Sequence, residues 1–368
     1  MRYQNVCLES WGYCLPEEIV TTAEIEGRLA PLYQRLKLPE GRLEMLTGIR
    51  ERRFWPRGTL PSEISIQSGE VAIRASGIDR REIGALFHGS VCRDHLEPAT
   101  ACRVHHGLGL SSSCILMDVS NACLGLLNGM ILASNMIELG QIRAALVVGT
   151  ESARPLVETT IDALNRNTLL TRETIKPAIA SLTIGSGSCA LLLVDRRISK
   201  SGNHLLGGAV CARTEHHELC RSGSDEAGFG MQPLMETDSE LLMREGIATG
   251  VETFVALQSE LGWSPSTINK TIGHQVGATH RKLMLEQLGL AAENDYTTFE
   301  TLGNTGSVAL PISLAMAAES GHLVRGDQVA LMGIGSGINC VMLGLNWQAA
   351  RLSGKSERPS QERAETVA

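Results

Sequence analysis

The chain has 368 residues, 43% of them hydrophobic and 4% aromatic, with 38 glycines and a formal net charge of −7. That length and apolar content suffice for one large core or two joined ones, and the acidic balance argues against nucleic acid as the main ligand. No apolar run approaches about 18 residues, so no membrane span is expected.

Residues 1–16 lack a basic stretch followed by an apolar one, so no signal peptide is expected. The chain reads as cytoplasmic, with its ten scattered cysteines reduced. His216, His217 and Cys220 lie close in sequence without a second ligand pair, which falls short of a zinc site, and no metal is expected.

In chain order, residues 77–89 read as a helix end, a polar turn and a strand ending at His88-Gly89. An apolar strand-like run over 114–119 stops at small and polar residues, and a helix-like pattern follows over 124–139, so Cys123 falls at a strand-to-helix turn. Helix N-termini present unpaired N–H groups and a positive dipole end, both of which favour thiolate over thiol. The alternative is a small apolar packing residue. A polar turn at 140–143 leads into a strand over 144–149, and the strand over 190–194 closes the first half at Asp195.

The same order recurs further on. Residues 261–275 form a helix end, a turn and a strand ending at His274-Gln275, and residues 308–319 form a helix-like run followed by a turn and a strand over 328–333. Alternating buried strands and helical runs of 12 to 16 residues indicate parallel-sheet units with helices on their faces, hence a layered α/β protein. Residues 152–180 and 214–240 fit neither repeat and read as irregular insertions, candidates for a substrate cap. Residues 348–368 turn polar without apolar period and read as a disordered tail.

In duplicated layered sheets the strand ends of both halves face a common centre, so residues just after strands hold the chemistry. Cys123 follows a strand in the first half; His274 ends one in the second, and Asn304 lies in the glycine-punctuated loop Thr-Leu-Gly-Asn-Thr-Gly over 301–306. A thiol, an imidazole and an amide can form an acyl-cysteine and polarise a thioester carbonyl. Singly, His274 also reads as a structural strand-end histidine and Asn304 as a turn residue or cap. The loops at Gly185-Ser186 and Gly335-Ser336-Gly337 let backbone approach a ligand closely, and the second offers N–H groups for an oxyanion hole with that of Cys123. Neither has the spacing of a phosphate loop or a dinucleotide fingerprint.

Asn-Ala-Cys-Leu-Gly around Cys123, His274-Gln275, Gly303-Asn304-Thr305 and Gly335-Ser336-Gly337, in this order, resemble the ketoacyl synthase III branch of the thiolase superfamily over residues 5–347. The resemblance implies a five-layered α-β-α-β-α sandwich of two pseudo-twofold halves, residues 1–195 with the nucleophile and 196–347 with the His and Asn, acting as a homodimer. It implies Cys123 as the acyl-accepting nucleophile, His274 and Asn304 as the pair that polarises the second thioester, Gly337 as the second oxyanion donor, and Gly185, Ser186, Gly335 and Ser336 at the substrate site.

Two departures bear on the substrate. Arg42 and Leu46 stand where the synthases that start fatty acid synthesis carry the Trp and Arg that hold the coenzyme A adenine, and Gly277 replaces their Asn after His-Gln. The string over 90–100, with Thr214-Glu215, Leu219-Cys220-Arg221 and 244–247, instead resembles the thiolase-fold enzymes that open bacterial long-chain olefin biosynthesis. Those join two fatty acyl-CoAs head to head without decarboxylation, and their Glu that reaches into the partner's site matches Glu97. A donor with no carboxylate to lose needs a base for its α-proton, and a buried glutamate with raised pKa can serve.

The expectation is therefore an acyl-thioester Claisen condensation through acyl-Cys123, with coenzyme A thioesters as substrates and no resident cofactor. The alternatives are a decarboxylative synthase using malonyl-acyl carrier protein, a thioesterase or acyltransferase that stops at the acyl-cysteine, and a silent binding partner of another synthase.

Overall fold

The computed structural model describes residues 1–222 and 234–348. Residues 349–368 of the expected tail and 223–233 of the second insertion lie outside them.

Ten strands form one continuous sheet surface: β1 (Val6–Cys14), β2 (Ile83–His88), β3 (Ile115–Asp118), β4 (Ala144–Glu151), β5 (Gly187–Asp195), β6 (His204–Ala212), β7 (Lys270–Gly273), β8 (Asp295–Tyr296), β9 (Gln328–Gly335) and β10 (Asn339–Asn346). Their spatial order is β8-β7-β9-β10-β6-β1-β5-β4-β2-β3. Only Cys7↔His204 joins β1 to β6, so the surface is two five-stranded sheets meeting at one point. Each sheet repeats the same plan, with its third strand at the edge and its first strand at the join.

Both sheets are mixed. The pairs β2–β3, β2–β4, β7–β8 and β7–β9 are parallel as the pattern predicts, whereas β1–β5, β4–β5, β6–β10 and β9–β10 are antiparallel. The connections explain this. Only residues 336–338 separate β9 from β10, too few for the crossover that a parallel neighbour requires. β4 and β5 are buried at every position, which is why they read as unbroken apolar runs.

Helices α1 (Pro61–Ser76) and α2 (Thr100–Gly107) cover the outer face of the first sheet, and α5 (Ser239–Leu261) and α6 (Ala278–Leu288) that of the second. Between the sheets lie α3 (Gly125–Glu138) and α7 (Ala309–Glu319), whose apolar residues share one core with both. Nine of the eleven residues of α7 are buried, the signature of a helix enclosed on all sides. The result is the expected α-β-α-β-α sandwich.

The expected irregular insertion at 152–180 holds a helix, α4 (Arg154–Arg166). Its buried Val157, Thr160, Ile161 and Leu164 fall at i, i+3, i+4 and i+7 and pack on Ile25, Leu32 and Phe54. It is a satellite core element, not a loose cap.

The start of α3 is set by a backbone-to-backbone approach. A β-carbon added at Gly125 would stand 2.4 Å from the Gly89 carbonyl oxygen, and one at Gly89 would stand 2.5 Å from the Gly125 carbonyl carbon. Gly125→Ala should therefore destabilise the fold by about 1–3 kcal/mol through overpacking. Gly27, exposed in the helix Thr22–Arg28 with nothing within 4 Å of an added methyl, gives the opposite sign: Gly27→Ala should stabilise by about 0.5–1 kcal/mol. Denaturant titration of both variants checks the pair, and equal signs would refute the account.

Candidate active site

Cys123 lies in the short 3-10 turn Ala122–Leu124 between β3 and α3. Ala122 holds φ 44, left-handed backbone that a residue with a β-carbon adopts only under constraint. That constraint comes from the second half. A β-carbon at Gly335 would meet the Cys123 backbone nitrogen at 3.5 Å and Leu124 Cγ at 3.2 Å, so the end of β9 lies flat against the turn. Asn339 Nδ2 donates to Asn121 Oδ1 (3.2 Å) and to the Ser336 carbonyl (3.3 Å), tying the hairpin that carries Gly337 to the same turn. Gly337 holds φ 133, which favours glycine.

Asn304 precedes the turn Gly306–Val308, which packs against Ala122–Leu124. Its backbone is locked by Asn304 N–H to the Thr183 carbonyl and Gly185 N–H to the Asn304 carbonyl, both 2.9 Å. Its side-chain oxygen accepts from Gly306 N–H at 3.0 Å. The amide is thereby oriented with its acceptor occupied and its NH2 presented as a donor.

His274 follows β7, held by its N–H to the Met332 carbonyl (3.0 Å). Gln275 ties this loop to the segment leading to Asn304: Nε2 donates to the Gly273 carbonyl (2.7 Å), and Oε1 accepts from Thr298 N–H (2.8 Å) and Phe299 N–H (3.2 Å). Gly277 holds φ 154, and an added β-carbon would stand 2.8 Å from the Thr47 carbonyl oxygen, which explains the absence of a side chain there. A cavity beside His274 is walled by Met284, Leu285, Phe299, Met332, Ile334 and Met342, with His280 on the first turn of α6.

The electrostatics depart from the sequence reading. Burial pushes the Cys123 thiol up to about 12, the buried Glu151 carboxylate adds to this, the Cys220 sulfur adds less, and the residue's own N–H opposes them. Burial, then neighbouring His280, pushes His274 down to about 3, and burial pushes His280 down to about 4. At neutral pH the centre holds a thiol and uncharged imidazoles. The expected thiolate, favoured by a helix end and His274, is not the resting form.

Gly185 and Ser186 pack against protein backbone. Ser186 is fully buried, its Oγ accepts from Ala153 N–H (2.9 Å), and its N–H donates to the Arg53 carbonyl. A β-carbon at Gly185 would overlap the Leu302 carbonyl oxygen at 1.9 Å. Gly185 braces the Asn304 loop from behind, and Ser186 ties the start of α4 to the Arg53 strand. Gly335 is likewise buried against Cys123, while Ser336 is half-buried and its carbonyl serves the hairpin.

Glu97 is exposed in the protomer, on the loop between β2 and α2, so its own chain does not supply the burial that would make it a base. Arg42 and Leu46 lie on the surface helix Arg42–Thr47 beside a shallow pocket formed by Gly41, Met45, Gly48, Arg50 and Glu300. Glu151, at the end of β4, was not picked out by the sequence reading. Its signal was a lone carboxylate closing an apolar strand at the functional edge of the sheet.

Two family models match the chain: the thiolase N-terminal domain over residues 51–181, and the 3-oxoacyl-acyl-carrier-protein (ACP) synthase III C-terminal model over residues 258–347. An acyl-CoA:acyl-CoA alkyltransferase of Shewanella oneidensis is 42% identical over 94% of this chain and 100% of its own length. A protein of the same name from Xanthomonas campestris is 35% identical over the same shares. Among solved structures, cerulenin-bound Xanthomonas campestris OleA has a TM-score of 0.89 at 35% identity, covering 94% of this chain and 98% of that one. OleA with bound lauric acid and lauroyl-CoA gives 0.88 at 34%, covering 94% and 100%. Likeness of this degree over nearly the whole of both chains means that the protein belongs to the OleA family of the thiolase superfamily.

Proposed function

We propose that this protein joins two fatty acyl-CoA molecules head to head, by Claisen condensation without decarboxylation, through an acyl-Cys123 intermediate. The observation that carries this reading is the convergence of the Cys123 turn, the glycine hairpin and the Asn304 loop, in a chain 42% identical to an acyl-CoA:acyl-CoA alkyltransferase.

In the first half-reaction the Cys123 sulfur attacks the thioester carbonyl. The oxyanion accepts hydrogen bonds from the N–H groups of Cys123 and Gly337, and coenzyme A leaves with the proton that Cys123 gives up. Because His274 is neutral, it can take that proton and pass it on within the same step. The second acyl-CoA then binds with its carbonyl oxygen at the Asn304 NH2 and a His274 N–H. Glu97 removes its α-proton, the enolate carbon attacks acyl-Cys123, and the carbon–sulfur bond breaks to give a 3-ketoacyl-CoA and a cysteine that recovers the proton.

Glu97 would work from the partner protomer of a homodimer. Two features support this: Leu96 beside it is 56% exposed, and the edge strand β3 turns Ile115 and Met117 outward, 46% and 43% exposed. That all ten cysteines are free fits a reducing cytoplasm. Acyl-CoA serves as both substrates in this reading, with no resident cofactor.

Purified protein given acyl-CoA alone should release coenzyme A and form a 3-ketoacyl product detectable by mass spectrometry. Dependence on malonyl-carrier protein, or free fatty acid as the sole product, would sink the reading. Glu97→Ala should still acylate Cys123, seen as added mass on its peptide, while condensation falls by about 100-fold or more.

The titration directions give a second test. Iodoacetamide labelling of Cys123 in the free enzyme should keep rising from about pH 8 to beyond about pH 10, where an ordinary thiol of pKa about 8.5 has levelled off. The rate of Cys123 acylation, the half-reaction that does not use Glu97, should show no acid limb near about pH 6.5, since His274 stays neutral down to about 3. A labelling plateau below about pH 9 contradicts the assigned thiol state.

A further inference from the structure

Glu151 is 4% exposed and closes β4, a strand otherwise made of apolar and small residues. Its Oε1 accepts from Val91 N–H (3.0 Å), Ser307 Oγ–H (2.6 Å) and Ser307 N–H (3.3 Å), and its Oε2 accepts from Cys92 N–H (3.2 Å). Val91 and Cys92 open the loop that leads to Glu97, and Ser307 belongs to the turn that follows Asn304 and packs on the nucleophile's turn. A β-carbon added at Gly306 would reach the carboxylate at 3.2 Å, so the loop lies directly on it. The carboxylate thus joins loops from both halves.

We propose that Glu151 is a positioning residue of the condensation. From one buried point its carboxylate fixes the loop carrying Asn304 and the loop leading to Glu97 against the nucleophile's turn, and its charge faces the Cys123 sulfur. This rests on the condensation reading for its rate effect.

The three backbone N–H groups can only donate, so both oxygens must accept, and the carboxylate suits the site better than an amide. Gln would turn its NH2 toward at least one of these donors, leaving a buried N–H unpaired. The charge has a second consequence. Burial holds the Glu151 carboxyl above its ordinary range, while its donors oppose this, and the charge it carries raises both Cys92 and Cys123. The titratable groups facing Cys123 are thus Glu151 and Cys220, and those facing Glu151 are Cys92 and Cys123. Glu151 in this way adds to burial in keeping the sulfur protonated.

The test compares Glu151→Gln with Ser307→Ala, by steady-state condensation of acyl-CoA and by the pH dependence of iodoacetamide labelling at Cys123. Glu151→Gln should lose about 100-fold in kcat with little change in KM, the signature of misplacement, not of lost binding. Its labelling curve should move to lower pH, because a negative charge beside the thiol is gone. Ser307→Ala keeps the charge and loses one donor, so kcat should fall by about tenfold while the labelling curve stays in place. Wild-type kcat in either variant overturns the proposal, as does an inactive, folded Glu151→Gln whose labelling curve has not moved. If the unaltered protein forms no condensation product, the functional reading fails instead, and the labelling comparison still tests whether Glu151 acts on Cys123.

Discussion

The site depends on how tightly α3 and α7 are enclosed between the two sheets. A helix packed between two sheets, as α7 is on all faces and α3 on most of its surface, cannot slide without opening a cavity or forcing an overlap, and either costs about 1–5 kcal/mol. Glycines bring the enclosure down to backbone contact: Gly125 on Gly89, Gly129 on Val147, Gly333 on Leu127 and Gly335 on Leu124. The residues just before each helix inherit that rigidity. Cys123 precedes α3 and Asn304 precedes α7, so both are fixed by packing several residues away from themselves.

Packing also decides the protonation state. A helix end stabilises a nearby charge by about 0.3–1 kcal/mol, less than one pKa unit, whereas burial shifts a group by up to about 3–5 units. Here the carboxylate of Glu151 acts in the same direction as burial, and the thiol stays protonated.

Much of this was legible in the sequence for a definite reason. Cys123, His274, Asn304 and Gly337 sit where strand patterns stop at glycines and small residues, and such punctuation is local. The repeated order of elements was legible too, and it returns as identical strand order in the two sheets. Contacts between distant segments leave no periodic trace. Gly185 read as part of a binding loop because glycine permissiveness is the same whether a ligand or another backbone approaches, and here the Asn304 loop approaches it. Helix α4 was missed because its apolar stripe, four residues of thirteen, is narrow and faces a satellite cluster. Glu151 escaped because a carboxylate after an apolar strand usually marks its exit to solvent, and only the fold folds Ser307 and Val91 over it.

The duplication also explains why one chain holds one centre. Each half ends its second strand at a histidine, His88 after β2 and His274 after β7, and the two occupy matching places in the repeated plan. Their surroundings differ. His88 is buried among hydroxyls, with Ser65 Oγ 3.2 Å and Ser90 Oγ 3.4 Å from its ring, and Asp118 3.8 Å away is occupied in capping α2 through Thr100 and Ala101 N–H. The ring of His274 has no hydrogen-bond partner among the described residues and lines the cavity. An imidazole whose nitrogens already serve hydroxyls has little capacity left for another partner, whereas the His274 ring lines a cavity. The first half keeps its histidine for structure and offers the cysteine. The second leaves its histidine lining a cavity, so the two halves put the same strand-end residue to different uses.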